Sequence, residues 1–307
     1  MSLLTVTSAS TRTYSQELAR LERALAEVDA ILIGAGAGLS TAAGYTYAGE
    51  RFYRYFADFA RAHRMTDMYT GGFFPFTSEE ERWAYWSRYI WINRYAPVPS
   101  DLYAQLHALL RGRDYFVLTT NVDHCFQRTG FAPERLFYTQ GDYGLWQCSE
   151  PCHAATYDNQ DAVRRMLEAQ GWRIAPDGEL LPPADGREPG RFVPASLIPR
   201  CPVCGRPMSM NLRADDTFVE DEGWHAAAER YRAFCERHRH ARVLYLELGV
   251  GGNTPVIIKF PFWRMTADNP RSLYACVNHG EAVAPTSIAD RSILLDGDAA
   301  AVIGALG

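Results

Sequence analysis

The stretch that decides the fold is Ala30-Ile31-Leu32-Ile33-Gly34-Ala35-Gly36-Ala37-Gly38-Leu39-Ser40. An apolar run, Ala30 to Ile33, feeds a glycine turn, and Leu39-Ser40 opens the segment that follows. That order predicts a strand, a turn and a helix start, with backbone N–H groups placed where a phosphate can bind. A strict GxGxxG dinucleotide fingerprint is absent, because neither register brings a glycine to the third position. Taken alone, the turn fits an ordinary tight connection as well as a nucleotide site.

Upstream, Leu18, Leu21 and Leu25 fall near helical spacing and predict a helix over 15–28. Downstream, Leu102 to Leu110 and Trp224 to His240 also read as helices. Tyr115 to Thr119, Val243 to Leu248 and Leu273 to Val277 read as strands, the first of them buried. Phe52 to Tyr95 is rich in aromatics, and Trp83, Trp86, Tyr89 and Ile90 recur at helical spacing, as on a helix that buries an aromatic stripe. Gly171 to Pro199 carries six prolines and reads as a loop-rich insertion. Strands alternating with helices predict an α/β fold, a Rossmann-like doubly wound parallel sheet. The expected layout is a single domain over 13–303. Its core covers 13–50, 100–147 and 215–303, with a helical insertion over 51–99 and a small metal-binding module over 148–214.

The 307 residues are 47% hydrophobic and 22% charged, which supports a core of useful size. A net charge of −5 lacks the basic excess of a nucleic-acid binder. The basic run Arg230 to Arg242 is spaced like the wet face of a helix. There is no run of roughly 18 apolar residues, so no transmembrane helix is expected, and Met1 to Arg12 has no secretory pattern. Seven cysteines in a chain of this length do not suggest a disulfide scaffold. The expectation is a cytoplasmic protein with reduced thiols and with no nucleic-acid or membrane partner.

Four further blocks carry chemistry. Thr119-Thr120-Asn121-Val122-Asp123 follows a strand, where open α/β sheets bind ligands; the competing reading has Asn121 or Asp123 capping a helix. Gln140-Gly141-Asp142 comes next. Cys148 and Cys152, then Cys201-Pro202-Val203-Cys204-Gly205, have ligand-like spacing for one structural zinc, the alternative being four unrelated buried thiols. Cys125, Cys235 and Cys276 have no such partners and read as core residues. Gly249-Val250-Gly251-Gly252-Asn253 and Val277-Asn278 each end a strand; glycine there admits a ligand close to the backbone, or simply makes a tight turn.

In this order the blocks resemble the sirtuin family. Gly36-Ala37-Gly38-Leu39-Ser40 with Ala43-Gly44 is similar to its opening GAGIS…SG signature, and 119–123 to its TQNID motif, with Thr120 replacing glutamine. Gln140 stands where ordinary deacylases carry the histidine of a His-Gly pair. The 249–253 segment and Asn278 resemble the GTS loop and the terminal Val/Ile-Asn that hold the adenosine end of NAD. A closer resemblance is to the class M, macrodomain-linked sirtuins of microbes. It rests on Gly44-Tyr45-Thr46-Tyr47-Ala48-Gly49-Glu50-Arg51-Phe52, on Gln140, on the segment from Met210 to Glu220, and on Lys259-Phe260-Pro261-Phe262-Trp263.

The resemblance implies NAD as co-substrate, one structural Zn2+, and these roles. Gly36, Ala37, Gly38, Ser40 and Gly44 would hold the diphosphate and ribose, and Arg51 would recover a phosphate contact. Asn121 and Asp123 would line the nicotinamide pocket, and Gln140 would position the ribose. Gly249, Gly251, Asn253 and Asn278 would take the adenosine end. Without a histidine base, deacylation should be missing while nicotinamide departure survives. The implied activity is therefore protein mono-ADP-ribosyl transfer, to a lipoylated carrier related to the glycine cleavage H protein, with a macrodomain hydrolase removing the mark. A deacylase or NAD hydrolase, and a non-catalytic NAD-binding module, are the alternatives. The loop after Gly44 lacks the Asp-Phe-Arg of deacylases, so their ribocation-shielding phenylalanine is not placed.

Overall fold

The computed structural model describes residues 12–252 and 255–307, together with the backbone of a short strand at Val6–Thr7. Six strands form the central sheet: β1 (Ala30–Ala35), β2 (Tyr115–Thr119), β3 (Leu136–Tyr138), β4 (Val243–Leu248), β5 (Leu273–Asn278) and β6 (Ser292–Asp296). Their order is β6-β5-β4-β1-β2-β3, and every pairing is parallel. This is the doubly wound arrangement, and strand order reverses between β1 and β4, where such sheets open a ligand crevice.

The strands are largely apolar because both faces of the sheet are covered; the fully buried Glu247 of β4 is paired with Lys259 and accepts Tyr274 Oη at 2.8 Å. Alternate side chains serve opposite layers: Ile31, Ile33, Val117 and Leu246 join one core, and Leu32, Phe116, Leu118 and Tyr245 the other. The first strand runs through Gly34 and Ala35, beyond the apolar run that announces it. Only glycine fits at position 34, since a Cβ there would lie 2.2 Å from Ile258 Cγ2. The leading helix, Tyr14–Glu27, starts at a capping box in which the Thr13 side chain and Gln16 bond reciprocally.

Residues between β1 and β2 build the helical insertion, with helices Glu50–His63 and Glu79–Ile90 and a π-helical turn Trp91–Tyr95. Ser78 caps the second of these helices, and three glutamates favour its first turn through the helix dipole. The aromatic stripe is buried as expected, with Trp83, Tyr89 and Ile90 inside. That core is shared with a three-stranded antiparallel sheet, Tyr157–Asp158, Gly141–Cys148 and Met208–Leu212, and with helix Gln160–Ala169. Arg88, fully buried, joins the pieces: it pairs with Asp58 at 2.7 and 2.9 Å and donates to Gln170 Oε1 at 2.8 Å. A buried guanidinium is tolerated only when its donors are this fully used. The proline-rich 171–199 segment is mostly irregular, with a two-residue hairpin and one 3₁₀ turn. Among the described residues no helix is long and apolar enough to cross a membrane.

Candidate active site

The glycine turn and the loop after β4 pack backbone against backbone at the point where strand order reverses. Gly36 N–H donates to Leu248 O at 3.0 Å, and Gly38 N–H to Gly249 O at 2.9 Å. A Cβ on Gly36 would meet Gly249 O at 2.7 Å, and one on Gly249, which has φ of 60°, would meet Leu39 N at 2.3 Å. The glycines are thus needed for this loop-to-loop approach, a reason the sequence does not display. Ala37 is exposed at the start of helix Ala37–Ala42. Gly44 has φ of 98° beside Pro99, and Gly251 borders open space. Asn278 Nδ2 donates to Val250 O at 2.9 Å, tying the β4 loop to the end of β5. Asn253 lies outside the described residues.

Beside this junction a buried polar cluster joins the turn to the end of β2. Ser40 Oγ donates to Asp123 Oδ2 at 2.5 Å, and the other Asp123 oxygen accepts Cys125 N–H at 3.0 Å. Asp123 therefore does receive the first N–H of the short helix Cys125–Arg128, but that is half of its bonding. Asn121 Nδ2 donates to Gly36 O at 3.0 Å, and its backbone N–H goes to Thr119 Oγ1 at 3.0 Å. Burial pushes the Asp123 carboxyl above its ordinary value, and the bonds from Ser40 and Cys125 offset only part of that. Tyr103, from helix Leu102–Leu109, completes the cluster, with Oη 2.8 Å from Ser40 Oγ and 3.4 Å from Asn121 Nδ2. Sequence reading missed this residue, because a tyrosine at helical spacing signals only a core position.

Gln140 sits, half-buried, in the turn between β3 and strand Gly141–Cys148, and its carbonyl accepts Arg213 N–H at 3.0 Å. Gly141 after it is irreplaceable: φ is 93°, and a Cβ would lie 1.9 Å from Asn211 O. The next residue, buried Asp142, receives Arg94 Nε at 2.7 Å on one oxygen and sits 2.5 Å from His124 Nδ1 with the other. Burial alone would raise this carboxyl, but the His124 bond and the Arg94 charge outweigh it and hold it below the usual range. His124 itself is left-handed, with φ of 65°, a conformation its hydrogen bond to Asp142 helps to hold. Arg51 points into the insertion, donating to Thr46 O at 3.1 Å, Ile92 O at 2.8 Å and Asn93 Oδ1 at 3.0 Å.

Apart from this crevice, Cys148, Cys152, Cys201 and Cys204 bring their sulfurs within 4.8 Å of one another. The Cys148–Cys204 and Cys152–Cys201 separations are 3.6 and 3.7 Å. Tetrahedral Zn–S bonds of about 2.3 Å require sulfur edges of about 3.8 Å, so the donor set fits zinc. Cys125 and Cys276 are buried and Cys235 half-buried.

The same fold occurs in Sir2 solved with a p53 peptide and NAD+, at TM-score 0.53 and 18% identity, over 94% of this chain and 95% of that one. A protein ADP-ribosyltransferase of Staphylococcus aureus is 40% identical over 284 residues, covering 92% of this chain and 84% of its own. The chain belongs to the sirtuin-type protein ADP-ribosyltransferases. A probable bifunctional ADP-ribose hydrolase/ADP-ribosyltransferase of Fusarium oxysporum is 31% identical over 77% of this chain but only 38% of its own length. No protein-family model matches the chain. In this chain the polar cluster and both glycine loops lie at the carboxyl ends of the parallel strands, the place the sheet reserves for a ligand.

Proposed function

We propose that the chain is an NAD-dependent protein mono-ADP-ribosyltransferase whose acceptor is a lipoylated carrier resembling the glycine cleavage H protein, and whose mark a macrodomain hydrolase removes. The observation that carries the reading is Gln140 at the base position, in a chain 40% identical to a protein ADP-ribosyltransferase. The residues fit NAD: loops close-packed through Gly36, Gly38 and Gly249 at the strand-order reversal, and beside them a buried cluster of Ser40, Asn121 and Asp123. NAD brings the bond between nicotinamide and ribose, whose cleavage frees the ADP-ribosyl group for an acceptor nucleophile.

The chain's residues bind and orient. Asn121 offers its amide oxygen to the nicotinamide end, since its nitrogen is committed to Gly36. Asp123 is fixed beside that pocket by Ser40 and Cys125. Gln140 holds the ribose by hydrogen bonds and takes up no proton. The four cysteines would hold zinc away from the reaction, as a staple of the small sheet.

The test is incubation of the protein with labelled NAD and carrier proteins, lipoylated and unlipoylated, with an acetylated peptide in parallel. Label in the lipoylated carrier with equivalent nicotinamide release supports the reading. Acyl loss from the peptide without protein labelling identifies a deacylase. NAD binding without nicotinamide release identifies a binding module.

A further inference from the structure

Tyr103 is fully buried and reaches the site from helix Leu102–Leu109. Its hydroxyl has two neighbours, Ser40 Oγ at 2.8 Å and Asn121 Nδ2 at 3.4 Å. The bonding around them fixes the direction of every hydrogen. Ser40 donates its one hydrogen to Asp123 Oδ2 at 2.5 Å. Ser40 oxygen must then accept, so Tyr103 donates to Ser40. Tyr103 oxygen is left to accept from Asn121 Nδ2. The carbonyl of Gly36 takes the other hydrogen of that amide at 3.0 Å.

We propose that Tyr103 is a positioning residue that locks the Asn121 carboxamide with its nitrogen inward, presenting Oδ1 as a fixed acceptor at the nicotinamide end of the site. Among the described residues Asn121 Oδ1 has no hydrogen-bond partner, which is what an atom kept for a ligand requires. The chain Asn121 to Tyr103 to Ser40 to Asp123 is unbroken, so each bond polarises the next. Without Tyr103 oxygen, one amide hydrogen and the Ser40 oxygen lose their partners inside the protein, and the carboxamide is free to rotate. The bland alternative is a core tyrosine whose hydroxyl happens to be satisfied. This proposal rests on the NAD-cleaving reading above for its kinetic consequence, but not for its geometry.

The experiment compares wild type, Tyr103→Phe, Ser40→Ala and the double variant. In Tyr103→Phe, kcat for nicotinamide release should fall roughly five- to tenfold, the effect of one lost hydrogen bond. KM for NAD should stay within about twofold, because alignment rather than binding is lost. Adding Tyr103→Phe to Ser40→Ala should cost little more, since one chain is already cut. Independently of activity, the side-chain amide protons of Asn121, assigned by their disappearance in Asn121→Asp, should exchange slowly in the unliganded wild type and faster in Tyr103→Phe. Unchanged amide exchange overturns the proposal, as does undiminished kcat in Tyr103→Phe or full additivity with Ser40→Ala. A wild type that releases no nicotinamide overturns the activity reading instead, while amide exchange still judges the lock.

Discussion

The side-chain amide of Asn121 donates to the carbonyl of Gly36 at 3.0 Å, joining the loop after the second strand to the turn after the first. Two sequence blocks 85 positions apart thereby form one surface. Asn121→Ala removes this link and a side-chain oxygen that, among the described residues, has no hydrogen-bond partner. Nicotinamide release should fall by about a hundredfold or more, the scale of losing one preorganised polar contact. The fold should persist, because the Asn121 backbone bond to Thr119 is untouched. Turnover near the wild-type rate would show that this motif does not face the nicotinamide.

Asp142 makes a prediction about pH. Its folded carboxyl is held below the usual range, so it adds stability above the ordinary carboxylate value and loses it as pH falls through the depressed one. Asp142→Asn leaves the half-buried Arg94 without its anion, and should cost about 1–3 kcal/mol at pH 7. Denaturant unfolding of both proteins from pH 7 to about pH 3 should show the gap narrowing on the acid side. A gap that is constant with pH would mean the pair contributes shape and not charge.

Much of the sheet was legible because strands buried on both faces are mostly apolar, with the one charge in β4, Glu247, neutralised by Lys259. Tyr115–Thr119 and Val243–Leu248 appear with the bounds read from the sequence. The site was legible only in part. Asn121, Asp123 and Ser40 stand in motif-like blocks, and the structure brings them into one cluster. Tyr103 and His124 were not visible, since their importance lies in partners at sequence separations of 63 and 18 that no local pattern announces. The glycines were noticed for a phosphate, whereas their crowding shows a second task, the contact between the β1 and β4 loops.

The cysteine cluster predicts a metal-dependent module. Elemental analysis should find about one zinc per chain. Stripping it with a chelator should expose the four thiols to a cysteine reagent and lower the melting temperature, since structural zinc contributes on the order of 10 kcal/mol to such modules. The small sheet should suffer first, because Cys148 ends its central strand. Stable, folded, metal-free protein would remove zinc from the account.

Gln140 separates this chain from the deacylases. It stands at the end of the turn after β3, and Gly141, with φ of 93° and no room for a Cβ, anchors it there. An imidazole at this place can take a proton near neutral pH; a carboxamide can donate and accept hydrogen bonds but cannot be protonated in that range. General-base catalysis contributes about 10²–10⁴-fold where it operates, so removal of acyl groups from lysine peptides should be at background. Departure of nicotinamide needs no such base, and transfer to the right protein acceptor should persist. Gln140→Ala should slow transfer through lost positioning, and the pH–rate profile should keep its shape because no titrating group has gone. Transfer rates for wild type and Gln140→Ala from about pH 5.5 to 9, beside a deacetylation assay of the wild type, decide the matter. Robust deacetylation by the native enzyme, or undiminished transfer in Gln140→Ala, would place Gln140 outside the reaction.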